Sequence, residues 1–285
     1  MTGATAGFGQ VAARHMAEAG AQLVVGARGA AGRAPGFAAE MLELDLASLA
    51  SVRAFAETVA AGPQVGALVC NGGLQFTSLE PTSEGFERTF AVNHLSHYLL
   101  IRLLLPVLAP GARVILTGSG THDPAEKSIV TPPCHAQADW LAFPDRDPNP
   151  EKSPRNAGFR AYSSSKLCNI MTARELAVRH PEFSTMAFDP GYVPGTRLGR
   201  DNPAWIAWAA GKIIPLTMKR DRTSTVAASG RAHADLALSA AHASERGTYW
   251  AMRGGRCIAM APSALAQDAA ACAKLWDDSA RLAGL

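Results

Sequence analysis

Short apolar runs alternate with helical patterns along the first two thirds of the chain, and this rhythm restricts the fold more than any other feature. The predicted strands are Leu23–Ala27, Met41–Leu44, Val65–Cys70, Arg113–Thr117 and Thr185–Phe188, and the predicted helices are Gln10–Ala19, Ser48–Ala61, Glu84–Leu108 and Ala161–His180. Strands that alternate with helices in this way pair in parallel, and the helices cover both faces of the sheet. The sequence therefore predicts an α/β fold with a doubly wound parallel sheet between two helical layers (α/β/α).

The chain has 285 residues, of which 48% are hydrophobic and 18% charged, so it can form a sizeable core. No internal repeat or low-complexity linker divides it, and we expect a single domain over residues 1–285. Two segments interrupt the rhythm: an excursion at 122–158 that is rich in Pro, Asp and Asn, and an apolar segment at 194–219. Loops of this length in a compact domain are usually lids or binding loops.

Composition and charge argue against several classes of protein. The formal net charge is only +3 and Lys and Arg form no continuous run, so no nucleic-acid partner is expected. The five cysteines include no CxxC pair, which favours reduced thiols in a cytoplasmic protein. The most apolar stretch, Leu95–Leu108, is too short to span a bilayer, so a membrane span is not expected. The histidines are not spaced as metal ligands, and no metal is expected.

A glycine-rich segment directly precedes the first predicted helix. Its candidate cofactor-binding residues are Gly3, Thr5, Gly7, Phe8 and Gly9. Glycines let the backbone turn tightly and approach a pyrophosphate, and the N-terminus of the following helix offers free N–H groups. Taken alone, the segment is equally consistent with an ordinary tight turn before a helix.

Further candidate cofactor residues follow the next predicted strands. Arg28 stands where a carboxylate would bind the ribose hydroxyls of NAD, whereas a guanidinium suits the 2′-phosphate of NADP. We therefore expect NADP(H) as the cofactor; a solvent-exposed surface arginine is the alternative. Asp45–Leu46 and Asn71–Gly72 fall at carboxyl ends of parallel strands, where open α/β sheets bind their ligands.

Tyr162 and Lys166 lie four residues apart in a predicted helix and therefore share one face. A phenol has an unperturbed pKa of about 10. A neighbouring ammonium favours the phenolate and lowers that pKa towards the range useful for acid–base catalysis. For these two residues alone, an ordinary pair on a helix surface is the alternative.

These motifs occur in one order along the chain, at predicted strand-to-helix boundaries: the glycine segment, Arg28, Asp45, Asn71–Gly73, Asn93, Ser119, Tyr162–Lys166 and Asp189–Gly191. The order resembles that of the short-chain dehydrogenase/reductase family, and the match runs over most of the chain. The resemblance implies a Rossmann-type fold and hydride transfer between NADP(H) and a small organic molecule.

The resemblance also implies roles for individual residues. Tyr162 would be the general acid/base at the substrate oxygen, and Lys166 would lower its pKa and bind the nicotinamide ribose. Ser119 would hydrogen-bond to the substrate oxygen, and Asn93 would hold a water that links Lys166 to solvent. Pro190–Gly191 would shape the wall beside the nicotinamide.

Two segments narrow the resemblance further. Gly118–Pro124 and Tyr162–Asn169, with the long interval between them, are similar to the branch that contains retinol dehydrogenases and protochlorophyllide reductases. The expected activity is that of a carbonyl reductase or alcohol dehydrogenase. A C=C reductase of the protochlorophyllide type would keep the same residues, whereas a non-catalytic NADP-binding sensor or scaffold would not need them.

The chain departs from the family pattern in two places. An apolar strand normally precedes the glycine segment, and only Met1 stands there, so the first strand is apparently truncated. Loss of a central strand would leave the hydrogen-bonding groups of its neighbours unpaired. We therefore expect that the natural start lies upstream and that Met1 is an internal residue; a protein inactivated by the missing strand is the alternative. Residues 29–36 contain three glycines and a proline, and predict a loop in place of a crossover helix.

The substrate and the oligomeric state are less constrained by the sequence. The apolar residues of the 194–219 segment, including Trp205 and Trp208, favour a hydrophobic carbonyl or alcohol as substrate. Packing of an amphipathic helix on the sheet is equally consistent, and a membrane-facing or oligomer patch is a third alternative. Family members often pair through the helices that hold Asn93 and Tyr162, but the long excursion could block this pairing. A monomer and a homodimer therefore both stay open.

Overall fold

The computed structural model describes residues 1–30, 35–194 and 220–285. Its strands are β1 Val24–Ala27, β2 Glu40–Glu43, β3 Val65–Cys70, β4 Leu108–Thr117, β5 Ser184–Asp189, β6 Arg246–Arg253 and β7 Arg256–Met260. Its longer helices are α1 Gly7–Glu18, α2 Leu49–Ala60, α3 Arg88–Val107, α4 Pro154–Arg179, α5 Val226–Leu238 and α6 Ala269–Leu282. The five strands predicted from the sequence are confirmed, although β4 begins at Leu108 and not at Arg113.

The strands form a mostly parallel sheet in two parts. β1 and β2 pair in parallel, and the second part has the order β3-β4-β5-β6-β7. In the described part of the chain, β7 alone runs antiparallel to its neighbour. The hairpin between β6 and β7 turns at Gly254 and Gly255, whose φ angles of 56° and 77° suit a tight two-residue turn. The sequence analysis missed this hairpin; β7 is short and no residue in it is fully buried, and Gly254 and Gly255 were not taken as a turn signal.

Met1 and Thr2 lie between β1 and β3, where the sequence analysis expects a strand. The carbonyl of Met1 accepts the N–H of Gly26 at 3.0 Å, and the N–H of Thr2 donates to Val69 O at 2.9 Å. The terminal ammonium of Met1 donates to Val24 O at 2.7 Å. Burial lowers the pKa of this ammonium to about 6. These two residues provide the hydrogen bonds that join the two parts of the sheet here.

Two hydrophobic clusters cover opposite faces of the sheet. Successive residues of β4 point to alternate faces, as in any strand. Accordingly, Val114 and Leu116 belong to one cluster and Ile115 to the other. Residues of α2, α3, α4 and α6 join the first cluster, and residues of α1 and α5 join the second. The predicted three-layer α/β/α architecture is therefore confirmed.

Helix α3 passes through the core and contains a π turn at Ala91–Leu95, between the α-helical turns Arg88–Phe90 and Ser96–Leu104. By length and composition it could cross a membrane, but 72% of its apolar window is buried inside the protein. A lipid-facing helix would expose this surface, so the burial is that of a core helix.

Helix α4 begins earlier than the sequence analysis predicts. Ser153 caps it and Pro154 occupies its first turn, so the excursion at 122–158 ends at Ser153. The excursion contains one short α-helix, Ala138–Ala142, and 3₁₀ turns at Pro124–Glu126 and Pro144–Arg146. Every residue from Tyr162 to Ala173 is buried. The predicted loop at 29–36 begins with a turn and ends with a bend; residues 31–34, between them, lie outside the described range. Most of the 194–219 segment, including Trp205 and Trp208, also lies outside it.

Candidate active site

The glycine-rich segment forms a tight loop between Thr2 and α1. Gly3 and Gly7 have φ angles of 67° and 59°, which L side chains rarely adopt. A Cβ on Gly9 would lie 2.2 Å from the carbonyl oxygen of Gly3, so the loop cannot accept a larger residue there. Ala6 precedes α1 and forms no side-chain cap, which leaves the N–H groups of the first turn without a side-chain acceptor. The loop therefore fits a pyrophosphate group.

The residues that follow β3 meet this loop, and Leu46, which follows β2, packs against them. Asn71 Nδ2 donates to Gly3 O at 2.9 Å. The N–H groups of Asn71 and Gly72 donate to Thr2 Oγ1 at 3.0 and 2.8 Å. A Cβ on Gly72 would lie 2.5 Å from Leu46 Cδ1, so these two residues are in close contact. The structure thus brings Asn71, Gly72 and Leu46 to the glycine loop.

Three other candidate cofactor residues lie near the same edge of the sheet. Thr5, in the loop, and Phe8, in the first turn of α1, are half-buried, and the ring of Phe8 lies 6.5 Å from that of Phe188. Asp45 follows β2 and uses Oδ1 to accept the N–H of Ala47 at 2.9 Å. One carboxylate oxygen of Asp45 therefore stabilises the turn in which it lies.

Arg28 is exposed directly after β1, at the predicted position. The structure adds a carboxylate that the sequence analysis did not anticipate. Glu43, at the end of the neighbouring strand β2, accepts the N–H groups of Gly29 and Ala30 at 3.1 and 2.9 Å. These two hydrogen bonds, the one from Ala30 most strongly, lower the pKa of Glu43. A carboxylate therefore lies beside the end of β1 after all, but it holds the turn through backbone N–H groups.

Tyr162 and Lys166 lie on one face of α4, as their spacing predicts, and are 6% and 3% exposed. Lys166 Nζ donates to Thr117 O at 3.1 Å and lies 5.7 Å from the centre of the Tyr162 ring. The hydroxyl of Ser119, just beyond β4, interacts with the Tyr162 phenol. The structure therefore brings Ser119, Tyr162 and Lys166 together at the carboxyl end of β4.

Burial dominates the acid–base properties of this cluster. It raises the pKa of Tyr162 above its ordinary value; the hydroxyl of Ser119 opposes this effect and the carboxylate of Asp189 adds to it. Burial also lowers the pKa of Lys166 to about 8, against an opposing effect of Asp189. The direction for Tyr162 is opposite to the one expected for a phenol with a neighbouring ammonium, because loss of water around the phenolate is the largest effect on its pKa. Tyr162 is therefore protonated at neutral pH in this structure.

Asn93 lies in the π turn of α3 and is fixed by protein partners. Its side-chain Nδ2 donates to Leu74 O and Ser165 Oγ at 2.9 and 3.0 Å, and its Oδ1 accepts the N–H of Leu74 at 2.8 Å. Its backbone carbonyl contacts His97 Nδ1 and Asn169 Nδ2, both at 3.0 Å. Asn93 thus connects α4 to the loop after β3. Its proposed role in holding a water stays a prediction.

Two residues that the sequence analysis did not assign support this cluster. Asn169 Nδ2 also donates to Thr117 O at 3.0 Å, the carbonyl that accepts from Lys166. His97 Nε2 lies 2.9 Å from Thr2 Oγ1, so His97 joins the π turn to the glycine loop, and burial lowers its pKa to about 4. Asn169 follows Lys166 by three residues on the same helix face, a signal that could have identified it. The role of His97 depends on a contact with a distant part of the chain.

Pro190 and Gly191 follow β5 at the same end of the sheet. Gly191 has a φ of 71° and donates its N–H to Asp189 Oδ1 at 2.9 Å. The carbonyl of Pro190 accepts from Ser229 Oγ at 2.8 Å. This turn is therefore fixed on both sides, as a rigid wall beside a ligand would require.

Comparison with known proteins agrees with this site. Residues 1–128 match the family model for short chain dehydrogenases. The Streptomyces sp. (strain C5) protein named "Putative daunorubicin C-13 ketoreductase DnrU" is 34% identical over 295 residues, which span 100% of this chain and 91% of that protein. The chloroplastic protochlorophyllide reductase of Daucus carota is 32% identical over 313 residues, spanning 100% and 77% of the two chains. The crystal structure of an uncharacterised protein from Mycobacterium paratuberculosis aligns with a TM-score of 0.69 and 27% identity, over 99% of this chain and 91% of that one.

The chain belongs to the short-chain dehydrogenase/reductase family. It is therefore an NAD(P)-dependent oxidoreductase that acts on C=O or CH–OH groups. The match to a protochlorophyllide reductase over the whole chain confirms the branch that the sequence resembles.

Proposed function

We propose that the protein is an NADP(H)-dependent reductase that interconverts an apolar carbonyl compound and its alcohol, with Tyr162 as the general acid/base. The observation that carries this proposal is the buried phenol of Tyr162, which keeps its proton at neutral pH and contacts the Ser119 hydroxyl. Such a phenol is ready to donate its proton to a carbonyl oxygen that gains negative charge. The glycine loop would hold the pyrophosphate of the dinucleotide, whose reduced nicotinamide would supply the hydride.

The other residues of the cluster have distinct tasks in this reaction. Ser119 donates a hydrogen bond to the carbonyl oxygen and orients it towards Tyr162. Lys166, with a pKa of about 8, is mainly cationic at neutral pH and stabilises the phenolate that forms when Tyr162 gives up its proton. In the oxidative direction the phenolate accepts the alcohol proton.

Support for NADP(H) over NAD(H) comes from Arg28 at the end of β1. A carboxylate at this position would accept the ribose hydroxyls of NAD. Glu43 lies beside the position, but its two oxygens accept the N–H groups of Gly29 and Ala30. The guanidinium of Arg28 is thus the group suited to recognise a 2′-phosphate.

Two finer assignments belong to the same proposal. The apolar residues of the 194–219 segment support a hydrophobic substrate. The five cysteines are all free thiols, which supports a cytoplasmic location.

A C=C reductase is the second candidate, and the whole-chain similarity to a protochlorophyllide reductase favours it. Product analysis separates the two activities, because one yields an alcohol and the other a saturated bond. A non-catalytic NADP-binding protein is disfavoured, because Ser119, Tyr162 and Lys166 are all present and assembled.

The test is Tyr162→Phe, which removes only the phenolic hydroxyl. The assay measures the loss of NADPH absorbance with a series of apolar ketones, of which acetophenone is the first. The turnover rate of the variant should be lower by about 10²–10⁴-fold. The Kd for NADPH, measured by nucleotide fluorescence, should change by less than about twofold. Tyr98→Phe makes the same chemical change in a tyrosine of the core and should leave turnover intact. Unaltered turnover in Tyr162→Phe would exclude the proton-transfer role.

A further inference from the structure

Asp189 places a buried carboxylate beneath the active site. It is the last residue of β5, its side chain is 4% exposed, and its Oδ2 would lie 3.2 Å from a Cβ on Gly120, the residue after Ser119. The negative charge of Asp189 acts on both Tyr162 and Lys166 and raises the pKa of each. Left unpaired, this carboxylate would oppose the formation of phenolate.

Arg253 pairs with this carboxylate from the end of β6. Its Nη1 lies 3.0 Å from Asp189 Oδ2, to which the Tyr249 hydroxyl also donates at 3.1 Å. Its Nη2 lies 3.4 Å from Glu126 Oε1, and Glu126 Oε2 lies 2.8 Å from Arg222 Nε. Asp189, Arg253, Glu126 and Arg222 therefore form a continuous row of alternating charges, the ion-pair chain.

The ion-pair chain ends where the two flanks of residues 195–219 meet. The N–H of Tyr192 donates to Arg222 O, and the N–H of Ser224 donates to Tyr192 O, each at 2.9 Å. Arg222 also donates to the backbone carbonyl of Glu126. The base of the expected substrate segment is thus connected through Arg253 to the turn that holds Ser119.

We propose that Arg253 is a positioning residue that neutralises Asp189 beneath the active site. Through Glu126 it also joins Asp189 to Arg222, whose carbonyl accepts the N–H of Tyr192. The proposal rests on the function proposed above, since its effect is on the proton transfer at Tyr162. Apolar residues could pack equally well at this position. We therefore attribute the buried Asp189–Arg253 ion pair beside the phenol of Tyr162 to its electrostatic effect.

The surroundings of Asp189 limit which groups can balance its negative charge. The other titratable groups that face it are His122, Tyr249 and Cys257. Burial lowers the pKa of His122 and raises those of Tyr249 and Cys257, so all three are neutral at pH 7. Arg253 and Lys166 are cations that interact with the charge of Asp189, and Arg253 contacts its carboxylate directly.

The pH dependence of alcohol oxidation tests the proposal. A panel of apolar secondary and allylic alcohols, beginning with 1-phenylethanol, is oxidised with NADP⁺, and kcat/KM is followed against pH. Arg253→Met should raise the apparent pKa of the activating deprotonation by about one unit, because Asp189 is then uncompensated. Asp189→Asn should shift it in the opposite direction. The double variant removes both charges and should return the apparent pKa to within about 0.3 unit of the unmodified protein.

Two further variants separate charge from packing. Arg253→Lys keeps the positive charge and should keep the apparent pKa, even if kcat falls. Arg179→Met removes a paired arginine at the far end of α4 and should change nothing. If Arg253→Met does not fold, the isosteric Asp189→Asn decides alone.

Unchanged apparent pKa values in both single variants, or shifts in the same direction in both, would overturn the proposal and leave a merely structural ion pair. Absence of turnover in the unmodified protein with every alcohol would instead refute the proposed function, and this inference would fall with it.

Discussion

Replacing the buried His233 by leucine should stabilise the protein. His233 lies on α5 between the rings of Phe8 and Phe188, with centroids 5.9 and 4.9 Å away. In the described part of the chain, neither of its ring nitrogens has a hydrogen-bond partner. An unsatisfied buried polar group costs about 1–3 kcal/mol, and leucine fills a similar volume without that cost. The free energy of unfolding should therefore rise by about 1–3 kcal/mol at neutral pH.

The same change should reduce the sensitivity of the protein to acid. Burial lowers the pKa of His233 to about 3, below the ordinary value of 6.5 that applies to the unfolded chain. The unfolded state therefore binds this proton preferentially as the pH falls below 6.5, and the native state loses stability. For one such group the loss between pH 7.5 and 5.5 is about 1.4 kcal/mol. The leucine variant should lack this loss, whereas the contributions of His94 and His97 remain in both proteins.

Urea unfolding followed by circular dichroism at these two pH values measures both effects. His97→Leu is the matched control: it removes a histidine that bridges Thr2 and Asn93, and should destabilise the protein at neutral pH. A His233→Leu protein that is less stable than its parent at pH 7.5, or that keeps the same dependence on pH, would refute the reasoning.

Two further predictions concern the nucleotide. Gly9→Ala places a methyl group 2.2 Å from a backbone carbonyl and should weaken NADPH binding by at least about tenfold, whereas Gly66→Ala, with nothing within 4 Å, should bind normally in the same fluorescence titration. Arg28→Glu should weaken NADPH binding by about 10–100-fold and NADH binding by less than about threefold. Arg155→Glu, in an exposed arginine at the start of α4, controls for the change of charge. Equal losses for both nucleotides would remove Arg28 from phosphate recognition.

The parts of the fold that the sequence predicts are those with strong local patterns. β3 and β5 contain apolar runs, and their positions follow from composition alone. β3 is buried at its carboxyl end, and β5 is buried along its whole length. β7 has a weaker pattern, because it is an edge strand in which no residue is fully buried. Its pairing with β6 depends on Gly254 and Gly255 in the turn, and these glycines were not used as a hairpin signal.

The candidate site divides in the same way. Tyr162 and Lys166 share a helix face by their spacing, so their proximity could be predicted. The roles of Glu43 and Asp189 could not be predicted, because each carboxylate interacts with residues that lie on another strand or in the turn after it. The raised pKa of Tyr162 could not be predicted either, because the spacing reveals a neighbouring charge but not the burial, which is the largest effect on this pKa.

The uninterrupted burial of α4 from Tyr162 to Ala173 has a consequence for how relatives of this protein are compared. In a close-packed interior almost any substitution disturbs the neighbours, whatever the chemistry of the residue. Leu167, which is fully buried, should therefore vary as little among homologues as Lys166 beside it. Low variability along this helix would therefore reflect close packing. A ranking of positions by variability would not distinguish the proposed catalytic residues from the residues that pack around them.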